Sequence, residues 1–553
     1  MTVLFQISLF VSAFLLFWLQ LLVAKMLLPR FGGVPAVWNT CLVFFQSGLL
    51  AGYAYAHGSA VWLVPKRQTV LHMLLLFVPL AVLPITVSAT LPGKSNPIPS
   101  LLGLLTMSIG LPFVIVASTA PLLQRWFVST GSASARDPYF LYAASNAGSL
   151  LALLAYPFLI EPVLTLESQS VVWLGGYLLL STLTFACAVV VWRTFQTPRP
   201  ATIEIRGKLE RPEMLTTRLR LFWIALAFVP SSLLLSVTTI LTSEVAPVPL
   251  LWVAPLTLYL ATYILAFTSR AVRLKQAVAW LAPGAALVLL FLLPKLSGLS
   301  LRLLCYLTSF FIIALACHSE LARRRPATRH LTEFYLWLAV GGVAGGIFNA
   351  LLAPWIFPGM WELQITVVLA CLLLPSLWPG VSPLPRPLRD LTWVAAFGIL
   401  AGVAFALFPS NVIWVSALAC LPLLLWYFRP LRFGLALAMV LALSFGFSLA
   451  NQRVLAVERN FFGILTVSMS DKGRFHTLLH GVTIHGIQAR HKDPSVRCTP
   501  LSYYHPTGPV GELFLGLLDG KDMRPIGIIG LGVGSLASFC QPGQEIKIGR
   551  AHV

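Results

Sequence analysis

The chain has 553 residues, 58% of them hydrophobic and only 10% charged, with a mean hydropathy of +0.85. Soluble globular domains are nearer half apolar and a quarter charged, so this composition excludes them and predicts a polytopic membrane protein of two or three domains. The net charge of +20 is no nucleic-acid signal, because the basic residues sit in short segments between apolar runs, as in cytoplasmic loops.

The first apolar run, Val3–Leu28, lacks a basic leader and a small-residue cleavage site, which makes it a retained transmembrane helix and not a signal peptide. Crossing a bilayer takes about 20 apolar residues. Such runs lie near 3–28, 35–57, 69–92, 101–127, 138–160 and 170–194. A polar, basic linker over 196–220 interrupts them. Nine more follow near 221–241, 247–268, 274–294, 300–318, 332–357, 361–379, 391–409, 411–428 and 430–450. The expected fold class is therefore mainly α: a polytopic membrane helical bundle of about 14–15 transmembrane helices, with a small β element and a partial α/β nucleotide-type domain at the C-terminus.

Two short correspondences suggest internal duplication. Val34-Pro35-x-x-Trp38 opens the second run and Val248-Pro249-x-x-Trp252 the eighth, an offset of 248 − 34 = 214. Gly148 precedes Pro157 by nine residues in the fifth run, as Gly345 precedes Pro354 in the eleventh. The first twelve helices thus read as a 6+6 repeat in one orientation, the build of major-facilitator-type transporters. Gly341, Gly342, Gly345 and Gly346 form two overlapping G-x-x-x-G pairs, expected on one side of their helix for close packing against a neighbour.

Loop charge orients the bundle. Lys66/Arg67, Arg125/Arg136, the linker, Arg270/Arg273/Lys275, Arg323–Arg325 with Arg329, Arg386/Arg389 and Arg429/Arg432 occupy alternate loops, which places the N-terminus in the cytoplasm of an inner-membrane protein. Fifteen crossings would then leave everything after residue 450 outside, unless one of the last four runs does not cross.

The expected boundaries are 1–195 and 221–380 for the two membrane halves, 196–220 for a cytoplasmic linker, 381–450 for additional helices and 451–547 for the C-terminal domain. Residues 548–553 read as a non-native tail. Phe462–Ser470 and Phe475–Leu479 flank a Gly-containing turn and predict a hairpin, with a further strand over Val482–Gln488. Ile526–Ser538 alternates isoleucines with glycines, predicting a buried strand, a turn without Cβ atoms and a helix N-terminus, the usual way to cradle a dinucleotide or S-adenosyl cofactor.

This order of motifs resembles the polyamine aminopropyltransferases, the spermidine synthase family. Gly486-Ile487-Gln488 is similar to that family's substrate-facing G-x-Q, Tyr504-His505 to its Y-H pair, and Gly530-Leu531-Gly532-Val533-Gly534 to its cofactor glycines. The stretches 27–46 and 329–354 resemble the membrane part of fused transporter/spermidine-synthase-like proteins, so the likeness covers nearly the whole chain. It implies transfer of an aminopropyl group from decarboxylated S-adenosylmethionine to an amine such as putrescine. Gly530, Gly532, Gly534 and Gln488 would bind the cofactor, and Tyr504 and His505 the substrate. Two departures stand out. Pro506 replaces a glutamate of that family, and the expected ribose-binding acid and catalytic Asp would lie beyond Val553. The alternatives are a polyamine or cation transporter with a sensor or inactive synthase-like domain, and a methyltransferase-like enzyme using the same glycines.

No metal is expected. The cysteines are scattered without a C-x-x-C, and His480 and His485 are an odd number apart, which on a continuous strand points them to opposite faces. Within the membrane Gln20, Lys25, Asn39, Gln46, Asn146, Glu161, His318, Glu320 and Asn349 need partners. Lys25, Glu161 and Glu320 lie near run ends, where long side chains snorkel, and Arg323 and Arg324 offer Glu320 a local ion pair. Asn146 and Asn349 are expected to bond to neighbouring helices. The loop between the second and third runs holds only Val64-Pro65-Lys66-Arg67, a poor match to active transporters.

Overall fold

The computed structural model describes all residues except 88–96, 132–139, 195–214, 246–250, 269–270, 294–297, 328–329, 375–386, 409–411, 428, 452–453, 462, 471–472, 482, 518–523, 530–531 and 550–553. Most of the linker lies outside the described residues, as do Arg136, Arg270, Arg329, Arg386, Val248 and Pro249. The membrane part is helical throughout. Its first six helices are α1 (Thr2–Phe31), α2 (Pro35–Trp62), α3 (Pro65–Phe77), α4 (Pro97–Ser129), α5 (Phe140–Ala155) and α6 (Leu166–Thr194). The next six are α7 (Thr217–Val245), α8 (Val253–Phe267), α9 (Val272–Leu287), α10 (Leu299–Arg323), α11 (Leu331–Ile347) and α12 (Trp361–Leu373). Then come α13 (Pro387–Leu407), α14 (Val412–Ala419) and α15 (Pro430–Asn451). Ten described helices are long and apolar enough to cross a membrane, and α8 and α12 are shorter apolar helices.

Prolines break two expected runs. Pro79 and Pro84 remove backbone donors after Phe77, so α3 ends in a 3-10 turn over Val78–Ala81. Pro422 stops α14, and a 3-10 turn over Pro422–Trp426 replaces the rest of that run.

The first six helices and the next six make similar contacts. Helix α1 packs on α4, α5 and α6, and α7 packs on α10, α11 and α12. Across the midline α2 meets α11, and α8 meets α5. Gly148 on α5 and Gly345 on α11 make these approaches possible. A Cβ at Gly148 would stand 2.3 Å from the Phe10 carbonyl oxygen of α1, and one at Gly345 would stand 2.6 Å from that of Phe228 on α7. Both helices then widen into a five-residue π turn, Tyr156–Ile160 and Phe348–Leu352. Pro157 lies inside the first of these turns, and Pro354 lies two residues past the second. Trp38 and Trp252 stack with ring centroids 3.4 Å apart.

The glycine stripe of α11 serves two neighbours, not one side. Gly341 and Gly345 meet α7, Gly346 accommodates the Gln46 amide of α2, and Gly342 has open space. Residues four apart share a helix face, and the two pairs are one position out of step.

The basic helix ends gather on one face. Arg220 bonds Glu333 at the start of α11, Arg125 donates to the Ala60 carbonyl at the end of α2, and Lys66 stands over the Trp192 ring. The N-terminal end of α1 is on this face too, through Phe5 against Phe127 and Ser8 against Cys187.

The C-terminal region lies against the opposite face. Strands β1 (Val454–Asn460), β2 (Gly463–Ser470), β3 (Phe475–His480) and β4 (Thr483–Ala489) form an antiparallel meander in the order β1-β2-β3-β4. The β2–β3 hairpin follows the sequence pattern, whereas β1, which lacks strict alternation, is an added edge strand. After two short helices, α16 (Pro494–Cys498) and α17 (Pro509–Leu517), β5 (Ile526–Ile529) pairs in parallel with β6 (Ile546–Gly549).

Candidate functional site

The glycine-rich turn begins where β5 ends. Gly532 (φ 57°) and Gly534 (φ 74°) occupy the left-handed region, which side chains with a Cβ avoid; Gly530 lies outside the described residues. The expected α-helix does not follow. Ser535–Phe539 is a five-residue 3-10 helix, because Pro542 and Gly543 (φ 87°) leave too little chain before the next break.

Three separated motifs meet at this turn. Gly486 on β4 receives Val533, whose Cγ2 would be 2.2 Å from a Cβ there. The Tyr504 hydroxyl lies 4.0 Å from the Cβ position of Gly532. Gln488 is exposed on β4 opposite His476, two residues beyond Gly486 and therefore on the same face of the strand. Tyr503 stacks near Tyr504 at 4.4 Å and donates to the His485 carbonyl (3.0 Å). Burial, with Tyr504 beside it, raises its phenol above the usual range. His505 is turned away: its Nδ1 is engaged by Thr507 at 2.8 Å in a local turn. The chain reverses at Gly481, so His480 and His485 sit on adjacent strands with rings 5.5 Å apart and not on the opposite faces of one strand. Among the described residues no three His, Cys, Asp or Glu cluster as metal ligands would.

A second feature has no counterpart in the sequence motifs. A chamber of about 600 Å³ lies between the bundle and the meander, walled by Asn39, Thr239 and Asn349 below and Asn460, His480 and Thr483 above. Arg459 closes its side. The guanidinium reaches from β1 to Glu362 at the start of α12 (2.7 Å) and to the Gly359 carbonyl (2.6 Å), with only 9% and 3% of the two charged side chains exposed. Asn39 donates to Thr239 (3.0 Å), while its Oδ1 has no partner among the described residues.

Deeper in the bundle, between the halves, is a cavity of about 190 Å³. Three helices line both spaces in the same order: α2 with Asn39 outward and Phe45 and Gln46 inward, α7 with Thr242 and then Leu234, and α11 with Tyr335 inside and Pro354 beyond its π turn outside. The Trp38–Trp252 stack lines a small void of about 60 Å³ near the outer ends of these helices.

The intramembrane polar residues find partners that the sequence shows only in part. Glu320 pairs with Arg323 (2.7 Å) and Arg324, as its spacing implies. Lys25 and Glu161, each at a run end, bind one another at 2.7 Å. Asn349 joins α7 through Ser232 (2.5 Å) and Ser236 (2.7 Å), but the Asn146 amide nitrogen has no partner among the described residues.

Compared with known protein families the chain matches none, and no curated protein matches it.

Proposed function

We propose that the chain is a multi-pass inner-membrane protein with a two-half bundle and a spermidine-synthase-like C-terminal region. That region takes decarboxylated S-adenosylmethionine and hands its aminopropyl group to putrescine or a related amine. The observation that carries this reading is the convergence of Gly532, Tyr504 and the Gly486–Gln488 segment, which are up to 46 residues apart in the chain (532 − 486), on one turn. The bare backbone at Gly532 and Gly534 lets an amide approach a cofactor, Gln488 offers donor and acceptor to both partners, and Tyr504 supplies an aromatic wall. A complete reaction also requires a carboxylate to accept the amine proton as the nitrogen attacks the carbon beside the sulfonium and the C–S bond breaks, releasing methylthioadenosine as the neutral thioether. The test is calorimetric titration of the full chain in nanodiscs with decarboxylated S-adenosylmethionine. Gly532→Val should abolish binding and Gln488→Ala should weaken it. Wild-type affinity in both variants would remove this site.

A second reading, transport, is favoured by the repeated contacts and the inter-half cavity. We infer a 6+6 arrangement: equivalent helices make equivalent contacts, and Trp38 meets its sequence counterpart Trp252 as residues beside a two-fold axis along the membrane normal would. With the basic face in the cytoplasm, the N-terminus is cytoplasmic and the meander is outside. A cysteine-accessibility scan with an impermeant reagent, using Lys66→Cys and Arg490→Cys in intact cells, tests this. Labelling only at residue 490 supports it, and labelling only at residue 66 reverses it.

A further inference from the structure

We propose that the inter-half cavity is a binding site for a small uncharged molecule, largely apolar and carrying a hydrogen-bond acceptor such as an amide carbonyl, and not for a polyamine or another ion. The proposal deepens the transport reading and takes from it only the two-half arrangement. No Asp, Glu, Lys, Arg or His lines the space among the described residues. Its polar groups are all neutral: the carboxamides of Gln20, Gln46 and Asn146, three serine hydroxyls and four tyrosine hydroxyls.

Two of those carboxamides have unused capacity. Asn146 is 94% buried (6% exposed), and its Nδ2 donates to nothing among the described residues. Gln46 donates to Ser231 (2.9 Å) through Nε2, but its Oε1 is buried without a partner. The Gln46 Oε1 is packed against Gly346 of α11, so the group left for a ligand is the unmet Asn146 donor on α5, which is costly in an apolar interior and is satisfied by a molecule presenting an acceptor. The serines are not competitors, since the Ser12 hydroxyl is given to the Val116 carbonyl and that of Ser149 to the Ser145 carbonyl.

The remaining wall is aromatic. Tyr335 directs its hydroxyl to Gln124 (2.9 Å) and leans on Tyr53, while Tyr263 is backed by His318 at 3.7 Å between ring centroids. Ring faces and neutral oxygens attract cations, but no carboxylate balances a charge here, so a cation would forfeit its hydration without gaining a counterion. A neutral molecule pays no such penalty.

The probes are three compounds of one shape: benzamide, benzylamine (cationic) and benzoate (anionic), titrated against the full chain in nanodiscs. Benzamide should bind at least tenfold more tightly than either ion, and Asn146→Leu should weaken it about tenfold, as loss of one buried hydrogen bond does. Should Asn146→Leu misfold, Ser145→Cys gives an independent measure. Neutral methyl methanethiosulfonate should modify it at least tenfold faster than the ethylammonium and ethylsulfonate reagents. Equal or tighter binding of benzylamine or benzoate, equal labelling by all three reagents, or no binding of benzamide would overturn the proposal. Liposome uptake is scored separately: binding without uptake sinks the transport reading and leaves the site intact.

Discussion

The bundle and the C-terminal region are stabilised in different ways. One continuous set of buried side chains, from Leu15 to Val440, runs through both halves of the bundle, whereas Ile528 is the only large apolar side chain buried after residue 451 among those described. Ile529 beside it is 85% exposed, and Leu515 on α17 is 62% exposed. The bundle therefore carries its own core. The sheet depends on its backbone ladders and on what holds it to the bundle, chiefly the nearly dry pair between Arg459 and Glu362.

That contrast can be broken first at its strongest link. Glu362→Ala leaves a buried guanidinium without its counterion, which should cost about 3–5 kcal/mol in the docking of the sheet. Limited proteolysis should then cut within 454–529 while the helical circular dichroism is unchanged, and Glu362→Gln with Arg459→Met should restore much of the protection. Simultaneous loss of helical signal would mean that the two regions fold as one unit. Within the bundle, Gly148→Val and Gly345→Val drive a side chain into a neighbouring backbone and should each cost about 1–3 kcal/mol, whereas Gly342→Ala, facing open space, should stay within about 0.5 kcal/mol in thermal melts. Matched losses at residues 148 and 345 sharpen the idea of two equivalent halves, and clearly unequal ones weaken it. In the C-terminal region, Gly532→Val also forces a β-branched residue into the left-handed region, at roughly 1–3 kcal/mol of local strain, visible as faster amide exchange in β5.

The smallest effect is at the fully exposed Asp493. Its carboxylate accepts from the Ser495 hydroxyl and backbone amide and caps α16, and these bonds hold its pKa below the ordinary value. A depressed pKa means that the stabilisation is complete above the ordinary carboxylate range and fades as pH falls through the lowered value. Asp493→Ala should therefore speed amide exchange over 495–498 at neutral pH, with the difference from wild type vanishing in strong acid.

Much of this architecture is legible in the residues, because hydrophobic length is a local property. The apolar runs, the Glu320 ion pair and the β2–β3 hairpin all follow from spacing alone. Proline was underweighted: Pro79 and Pro422 cut runs whose hydropathy continues past them. The helix expected after Gly534 fails for a similar reason, since only seven residues separate it from Pro542. Long-range pairings were invisible. Lys25 and Glu161 each satisfy the snorkelling criterion alone, and nothing local to Arg459 announces a partner 97 residues earlier. The chamber is illegible for the same reason, since its wall is drawn from both ends of the chain. Of the C-terminal motif residues, Gly532 and Tyr504 come together, Gln488 stands exposed on the same strand face as Gly486, and His505 is turned away.

The stacked indoles of Trp38 and Trp252 give the protein an optical gauge of its own. Two indoles in van der Waals contact couple their transitions, so the pair imprints a signature on the near-ultraviolet dichroism that depends on their separation. Subtracting the spectrum of Trp38→Phe isolates that signature from the other tryptophans. Its rise or collapse would then report any change in the separation of Trp38 and Trp252 without any dye attached.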